Sequence, residues 1–372
     1  MLTENQKERY DRQILLPGLG EEGQEKLSAA RILVIGAGGL GSPVLLYLAA
    51  AGVGTIGIVE FDRVARSNLH RQVLYEDQET GELKGDVAVR KLQKLNPDIR
   101  INLHRQYLSS KNALEIIEGY DLIVDGSDNL PTRYLVNDAC EILGKPFVYG
   151  AIYRFEGQVA VFNMLLPDGK RSSCYRDLYP VPPDPEMVPA CNTGGVLGAL
   201  AGVIGSMMAT EALKVVTDIG KNLFNRLLIY DGFDSTLRII NIKPDSERPA
   251  IKHLIDYEAF CDSFGGALNT HEVTPVQALA MLKKNTAVII DVREPLEFEM
   301  ANAGGTNIPL NSITDQAYRI PRRAMVLLIC RSGGRSMAAL KKLQDLGFNN
   351  LLSVKGGLNR WRAEVDPDLP AC

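Results

Sequence analysis

The chain has 372 residues, of which 45% are hydrophobic and 23% charged, and its formal net charge is −4. This composition is typical of a globular protein with two domains, and the weak negative charge gives no electrostatic reason to expect a nucleic-acid partner. Six cysteines without a C-x-x-C pair indicate free thiols in a reducing, cytoplasmic setting. The charged N-terminal residues lack the apolar core of a signal peptide.

The first half of the chain alternates between strand and helix patterns. A charged, helix-rich lead-in at 1–28 precedes an apolar strand at 31–35, a glycine cluster, a helix at 43–51 and a strand at 55–60. This order is typical of a βαβ unit. Further strands are predicted at 99–103, 122–124, 147–149 and 159–162, with helices at 86–95, 110–117 and 131–143. The alternation predicts an α/β fold with a Rossmann-like, doubly wound and mostly parallel sheet.

The pattern is interrupted between residues 165 and 190. Four prolines within 177–186 predict an exposed loop without regular structure. The following uncharged stretch, 188–210, is long enough to suggest a membrane span. Its small residues, and the charges that follow at once, favour a helix buried in a large domain, so no membrane partner is expected. Strands resume at 226–230 and 237–242.

A second, smaller α/β unit follows. The polar residues 246–269 are the best candidate for a linker between a domain at 1–245 and a domain at 270–372. Within the second domain we expect a helix at 274–283, strands at 287–291 and 325–330, and a helix at 335–346.

The glycine cluster has the spacing G-x-G-x-x-G between a strand and a helix, at Gly36, Gly38, Gly39 and Gly41. Such a turn lets the backbone approach a phosphate closely, beside the free N–H groups of the helix N-terminus. Glu60 and Asp62 end the next strand, where a carboxylate can hold ribose hydroxyls. Alone, this motif favours NAD or FAD over ATP.

The residues after the turn shift the prediction towards ATP. Asn68, Arg71, Lys84 and Asp128 supply an amide, two cations and a carboxylate close to the expected nucleotide. Cations stabilise charge on transferring phosphates and a carboxylate can hold Mg²⁺, whereas hydride transfer needs neither. The alternative for each residue is solvated surface charge.

Four blocks in order, RYDRQI at 9–14, GAGGLG at 36–41, DRVARSNLHRQ at 62–72 and SDN at 127–129, resemble the MoeB/ThiF family over residues 5–243. These enzymes adenylate the molybdopterin-synthase and thiamine sulfur carriers and are related to ubiquitin-activating enzymes. The resemblance implies a homodimer that uses ATP and Mg²⁺ on a ubiquitin-like carrier ending in Gly-Gly. The resemblance also implies a role for each site residue. The four glycines cradle the phosphates, Asp62 binds the ribose, and Asn68, Arg71 and Lys84 contact the triphosphate with Asn129 nearby. Asp128 holds Mg²⁺, and Arg12 reaches the neighbouring subunit's site.

Two cysteines of the first domain bear on this resemblance. Cys191 precedes an apolar helix, where a lowered pKa would make it a nucleophile, and the matching family cysteine can link to the activated carrier; a plain loop-end role is the alternative. Many relatives bind zinc through two C-x-x-C pairs. Here Cys174 has Asp177 as its partner and no cysteine lies near 250–253, so we expect no structural zinc.

Cys330 follows a strand and opens a helix. The loop around its sulfur can expose backbone N–H groups that stabilise a thiolate or persulfide. Four residues separate Cys330 from Arg335, fewer than in phosphatases. The predicted persulfide cradle comprises Arg331, Ser332, Gly333, Gly334, Arg335 and Ser336. With DVREPLEF at 291–298 and GGLNRW at 356–361, residues 270–372 resemble the rhodanese family, although NAGGT at 302–306 departs from its usual sequence.

Together these observations predict carrier adenylation by ATP, followed by sulfur transfer from a Cys330 persulfide, directly or through Cys191, to give a thiocarboxylate. The sulfur donor would be thiosulfate or a cysteine desulfurase. One alternative is an NAD- or FAD-dependent oxidoreductase with a persulfide domain. Another is a non-catalytic scaffold that binds carriers, or an inactive rhodanese fold used for docking.

Overall fold

The computed structural model describes residues 1–182, 195–257, 260–261, 271–322 and 324–370. The chain divides into two compact units, Met1–Gly265 and Gly266–Cys372. Each unit is built around its own sheet.

The first unit begins with two helices and then alternates strands with helices. Its elements in chain order are α1 (Glu4–Ile14), α2 (Gly20–Ala29), β1 (Arg31–Ile35), α3 (Gly41–Ala50), β2 (Thr55–Val59), α4 (Lys84–Leu95), β3 (Arg100–His104), α5 (Ala113–Glu118), β4 (Leu122–Asp125), α6 (Leu130–Leu143), β5 (Phe147–Tyr153), β6 (Glu156–Phe162), α7 (Tyr175–Leu178), α8 (Gly198–Thr217), β7 (Arg226–Asp231) and β8 (Thr236–Asn241). The predicted strands and helices are found within a few residues of these bounds; α7 was not predicted.

The eight strands form one sheet in the order β3-β2-β1-β4-β5-β6-β7-β8. The first five are parallel, and Ile35 at the end of β1 lies opposite Val59 of β2 and Asp125 of β4. The last three pair in antiparallel fashion. The predicted doubly wound, mostly parallel sheet is therefore confirmed, and the carboxyl ends of β1, β2 and β4 meet at one edge.

Both faces of the sheet are covered. Ile32 and Val34 of β1 lie in the apolar cluster that includes residues of α3, α4 and α8, whereas Leu33 and Ile35 lie in the cluster with α5 and α6. Alternate side chains of a strand point to opposite faces, so a strand with helices on both sides must be apolar throughout. This explains the continuous run RILVI.

Helix α8 occupies much of the uncharged stretch. Among the helices that the structure describes, it is the one whose length and apolar composition would allow it to cross a membrane. It packs against α3, β5 and β6, with Ile204 and Met208 fully buried. This packing is that of a core helix, as the sequence indicated.

The stretch 246–269, expected to be a linker, is partly bound to the first unit. Arg248 Nη2 donates to Glu141 Oε2 at 2.9 Å, and the Tyr257 hydroxyl donates to Asp138 Oδ2 at 2.8 Å. Tyr257 is buried with side chains of α6. Because a linker leaves its side chains in solvent, the residues up to Tyr257 belong to the first unit instead.

The second unit contains β9 (Glu272–Val273), α9 (Pro275–Lys283), β10 (Ala287–Asp291), α10 (Pro295–Met300), β11 (Thr306–Asn307), β12 (Met325–Ile329), α11 (Gly334–Asp345), β13 (Leu351–Val354) and α12 (Gly357–Glu364). Its sheet is parallel, in the order β11-β10-β12-β13-β9. Alternate residues of β12 again face two apolar clusters, Leu328 with α11 and Leu327 with α12. Cys330 follows β12 directly.

Candidate functional site

The glycine turn joins β1 to α3 at the carboxyl edge of the first sheet. Gly36 has φ +83°, in the left-handed region that favours glycine, and its N–H donates to Val59 O at 2.9 Å. A Cβ on Gly41 would lie 1.9 Å from Gly36 O, so that position also requires glycine. Gly38 and Gly39 are half-buried and have room around their Cα atoms. Their backbone is therefore open to a ligand.

The Glu60 carboxylate stabilises the backbone of the glycine turn through hydrogen bonds. Its buried carboxylate accepts hydrogen bonds from the N–H groups of Ala37, Phe61 and Asp62, at 2.9, 2.9 and 2.8 Å. A carboxylate with three internal donors is engaged in holding the backbone. Of the two acidic residues considered for ribose, Asp62 is the exposed one, since its side chain is 54% exposed.

Asp62 is linked to the start of α4. Lys84 N–H donates to Asp62 O at 2.9 Å, and Lys84 Nζ lies 3.3 Å from Asp62 Oδ2. The Lys84 side chain is only 5% exposed, so its ammonium is held at the end of β2 by this pair. The structure thus brings Lys84 next to Asp62.

Arg71 lies on the other side of the glycine turn. Its guanidinium donates to Asn68 Oδ1 at 3.0 Å and to Ser67 O at 3.3 Å, both uncharged acceptors, and its Nη1 lies 2.8 Å from His70 Nε2. A Cβ on Gly39 would be 3.6 Å from Cγ and Cδ of Arg71. Asn68 and Arg71 are therefore brought together beside the turn, and the acceptors that hold the guanidinium leave its positive charge available to a ligand.

Gln72 is a site residue that the sequence prediction missed. It is 5% exposed, and its Nε2 is the nearest heavy atom, at 3.6 Å, to a Cβ built on Gly38. Its Oε1 has no hydrogen-bond partner among the described residues. A buried amide oxygen without a partner next to an open backbone is typical of a ligand site. Its place directly after Arg71 in the family-like block could have indicated it.

The end of β4 adds carboxylates to the same edge. Gly126 N–H donates to Ile35 O at 3.0 Å, so the segment 126–129 starts against the glycine turn. Asp128 and Asn129 are exposed. Asn129 Oδ1 accepts from Thr132 N–H at 2.9 Å and caps α6, so this oxygen is engaged in the fold rather than free for a nucleotide.

Asp125, which was not predicted, is fully buried beside these residues. Its Oδ1 accepts from Ser127 N–H at 3.0 Å, whereas Oδ2 has no hydrogen-bond partner among the described residues. Burial raises the pKa of this carboxyl above its usual value. The orphaned oxygen fits a site completed by a cation or a donor from a ligand.

The structure does not place Arg12 in this cluster. Arg12 is 93% exposed near the end of α1, 3.8 Å from Asp11 Oδ2. Cys191 lies outside the described residues.

The Cys174 region shows what surrounds the expected zinc remnant. Burial raises the Cys174 thiol pKa to about 12. Asp177 Oδ2 accepts from Cys174 N–H at 2.8 Å, and Asp177 Oδ1 lies 3.4 Å from Arg248 Nε. The group facing this cysteine and Asp177 is therefore a guanidinium, which also binds Glu141. A cation in that place does not fit a bound zinc ion, and the described residues contain no cluster of three metal-type ligands.

The Cys330 loop has the features of an anion cradle. Cys330 is 1% exposed, and Gly333 N–H donates to its Sγ at 3.2 Å. Gly333 has φ +103°, and a Cβ on Gly357 would lie 2.2 Å from Cys330 O, so glycine is needed on both sides of the loop. Ser336 Oγ lies 3.7 Å from Sγ, whereas Arg331 and Ser332 are exposed. Gly334, the first residue of α11, follows Gly333 directly.

The Arg335 guanidinium is paired with a carboxylate rather than with the Cys330 sulfur. Glu297 accepts from both of its terminal nitrogens, at 2.6 and 2.7 Å. These bonds lower the Glu297 pKa to about 2. Glu297 was present in the rhodanese-like motif but was not assigned a role. The guanidinium charge acts on the sulfur at a distance, whereas Gly333 N–H donates to the sulfur directly and Ser336 Oγ lies 3.7 Å from it.

The first unit is thus a nucleotide-binding α/β fold of the doubly wound type, and the second holds a buried thiol in a glycine loop. Comparison with known proteins gives the family. The ThiF family matches residues 10–250 and the rhodanese-like domain residues 274–364. The chain belongs to the ThiF family and carries a rhodanese-like domain.

Two of three named relatives align with 99% of the chain, and the third aligns with 70% of it. The probable adenylyltransferase/sulfurtransferase MoeZ of Mycobacterium tuberculosis (strain CDC 1551 / Oshkosh) is 44% identical over 376 aligned positions, 99% of this chain and 96% of MoeZ. MOCS3 of Drosophila yakuba, an adenylyltransferase and sulfurtransferase, is 40% identical over 99% of this chain and 86% of its own. The sulfur carrier protein adenylyltransferase of Thermus thermophilus is 53% identical over 70% of this chain and 98% of its own.

Solved structures agree on the fold. E. coli MccB with MccA-N7isoASN has a TM-score of 0.58 at 19% identity, covering 66% of this chain and 75% of that chain. The predicted activities, adenylyl transfer with ATP and sulfur transfer, are therefore confirmed as those of this chain's class. The oxidoreductase and scaffold alternatives are not favoured.

Proposed function

We propose that the chain adenylates the C-terminal glycine carboxylate of a ubiquitin-like sulfur carrier and then converts it to a thiocarboxylate. The observation that carries this is the open backbone at Gly38 and Gly39, flanked by the guanidinium of Arg71 and backed by the buried carboxylate of Glu60. Close backbone approach and nearby cations suit a triphosphate.

In the adenylation step, a carrier carboxylate oxygen attacks the α-phosphorus of ATP and pyrophosphate leaves. Positioning and charge stabilisation suffice for this reaction, so no acid–base residue is required. Asp62 holds the ribose, and Arg71, Asn68 and Lys84 contact the phosphates. Asp128, with the buried Asp125 beside it, would hold Mg²⁺, which neutralises phosphate charge when bound.

In the sulfur step, Cys330 carries sulfane sulfur from a donor such as thiosulfate or a cysteine desulfurase. The outer sulfur of the persulfide attacks the activated carrier carbonyl, with AMP as the leaving group, or with the Cys191 thiolate as the leaving group where Cys191 has first displaced AMP. The product is an acyl disulfide between the carrier and Cys330. A thiol reductant then attacks Cys330 Sγ, so that the S–S bond breaks, the thiocarboxylate leaves and the reductant supplies the two electrons. A persulfide needs a free thiol, which supports action in a reducing, cytoplasmic compartment. Carriers of the molybdopterin-synthase and thiamine type are the first substrates to test.

The carrier docks on the antiparallel end of the first sheet. Phe155 and Phe233, 45% and 74% exposed, contact each other in the β5–β6 and β7–β8 turns with ring centroids 5.4 Å apart. Both turns lie at the carboxyl edge of β5, the edge that holds the glycine turn. Four strand spacings separate β7 from β1, about 20 Å, which roughly six residues of an extended tail can span.

The docking surface is tested with Phe233→Ser. We expect a higher KM for the carrier and an unchanged KM for ATP in pyrophosphate exchange. Leu165→Ser is the matched control, because Leu165 is 62% exposed but follows β6 at the opposite edge of the sheet. Equal effects of both variants would contradict docking at the turns.

The active form is a homodimer in which Arg12 enters the partner's nucleotide site. Leu15 and Leu16, directly after α1, are 64% and 51% exposed, which gives the surface beside Arg12 the apolar character of an interface. Leu16→Asp is expected to yield monomers by analytical ultracentrifugation. A dimeric variant with full exchange activity would argue against this surface.

The two half-reactions are separated by two variants. Asp128→Ala abolishes ATP–pyrophosphate exchange with the carrier and keeps thiosulfate sulfurtransferase activity, whereas Cys330→Ala does the reverse. Each variant serves as the folding control of the other. Failure of the wild-type chain to release AMP with any carrier of either type would refute the proposal.

A further inference from the structure

The Ser336 hydroxyl lies close to three polar groups, one of which is the reactive sulfur of Cys330. Its Oγ lies 3.7 Å from Cys330 Sγ, 2.8 Å from the Gly333 carbonyl oxygen and 2.8 Å from Ser353 Oγ. Both serines are completely buried. A hydroxyl has one proton to donate and two lone pairs, so Ser336 can donate to only one of these three groups at a time.

The direction of the bond between the two serines follows from their partners. Gly333 O is an acceptor, and Ser336 donates to it in the structure. Ser353 Oγ has no other hydrogen-bond partner among the described residues, and a buried hydroxyl proton without an acceptor is costly. Ser353 therefore donates to Ser336.

The Ser336 proton is also free to move. Gly333 O accepts a second hydrogen bond, from Met337 N–H at 3.1 Å. When Ser336 turns its proton to the sulfur, this carbonyl stays satisfied. Arg335 is held by Glu297, so Ser336 and Gly333 N–H are the donors aimed at the sulfur in this loop.

We propose that Ser353 is a positioning residue for Cys330. Ser353 donates to Ser336 whether the sulfur is a neutral thiol or an anion, and the Ser336 proton turns from Gly333 O to the sulfur when the sulfur is an anion. A hydroxyl that accepts one hydrogen bond donates a stronger one, so Ser353 stabilises the thiolate and the persulfide through Ser336. This role rests on Cys330 as the sulfur carrier of the proposed function.

The test uses the full chain and sulfur transfer from thiosulfate to cyanide. The Cys330 thiolate attacks the outer sulfur of thiosulfate, an S–S bond forms and sulfite leaves; cyanide then removes that sulfur as thiocyanate and restores the thiolate. The acid limb of kcat/KM for thiosulfate against pH reports the pKa of the free thiol. Ser353→Ala is expected to move this limb upward by about 0.3 to 0.7 pH units, roughly a two- to fivefold loss on the acid side that disappears at high pH.

Two further variants separate this role from packing. Ser353→Thr keeps the hydroxyl and should keep the limb in place, and adding Ser353→Ala to Ser336→Ala should cost nothing more, because Ser353 acts through Ser336. A pH-independent loss, or independent losses that multiply in the double variant, overturns the proposal. Activity that survives Cys330→Ala would instead refute Cys330 as the carrier.

Discussion

Alanine substitutions distinguish two kinds of glycine in the turn after β1. A Cβ on Gly41 would lie 1.9 Å from Gly36 O, whereas on Gly38 the nearest heavy atom in the described part of the chain would be Gln72 Nε2 at 3.6 Å. Neither Gly38 nor Gly41 has a positive φ. Gly38→Ala is therefore compatible with the fold, whereas Gly41→Ala forces the backbone apart.

The two variants should fail in different measurements. The methyl group of Gly38→Ala occupies space that a phosphate needs, and losing one charge-assisted hydrogen bond costs about 1.5–3 kcal/mol, or roughly a 10- to 150-fold higher KM for ATP. Overpacking at Gly41→Ala costs about 1–3 kcal/mol, and at roughly 2–4 °C per kcal/mol for a unit of this size the Tm falls by roughly 2–12 °C.

The assays are ATP–pyrophosphate exchange with a carrier and thermal unfolding without nucleotide. We expect Gly38→Ala to match the wild-type Tm and to lose affinity for ATP. Gly41→Ala, its matched control, should show the lower Tm. If Gly38→Ala bound ATP with a KM within twofold of wild type, the turn would not hold the phosphates as argued.

Two further predictions concern charge pairs. Arg248→Cys replaces the guanidinium that faces Cys174 and Asp177 with a thiol. Zn²⁺ should therefore raise the Tm of this variant and leave the wild-type Tm unchanged. A zinc-dependent Tm in the wild type would contradict this arrangement of the residues. Because Arg335 lowers the Glu297 pKa from 4.5 to about 2, this pair stabilises the fold fully above pH 4.5 and loses its effect as the pH falls through 2. Glu297→Gln should thus lower the Tm by a constant amount between pH 5 and 8, with the difference shrinking below pH 4.5; a constant difference down to pH 2 would show that the carboxylate charge is not responsible.

The parts of the fold that could be predicted are those with a local sequence pattern. The run RILVI predicts a strand covered on both faces, and the glycines that follow predict the turn, because both patterns arise within a few residues. The same holds for Cys330 and its loop. In each case the sequence indicates the backbone conformation, and the topology of parallel strands then brings the turn and the end of β4 together.

The parts that could not be predicted depend on contacts between distant residues. Glu297 binds Arg335 across 38 positions, and Ser336 meets Ser353 across 17. Arg248 binds Glu141, which lies 107 positions away in the sequence. Because so distant a partner cannot be identified from the sequence, the segment around Arg248 was expected to be a linker. A polar residue on a surface and one in a buried pair look alike in sequence, since the partner is defined only when the elements pack.

The charges of the two sites match the anions proposed for them. At the glycine turn, Arg71 donates to uncharged groups and retains its full charge, and Lys84 is opposed by one carboxylate that a ribose can occupy. A triphosphate carries several charges and needs such cations. At Cys330 the Arg335 charge is balanced by Glu297, and the direct donors are a backbone N–H and a hydroxyl. Neutral donors suit a single sulfur anion that must later leave, because a full opposing charge would hold it too tightly.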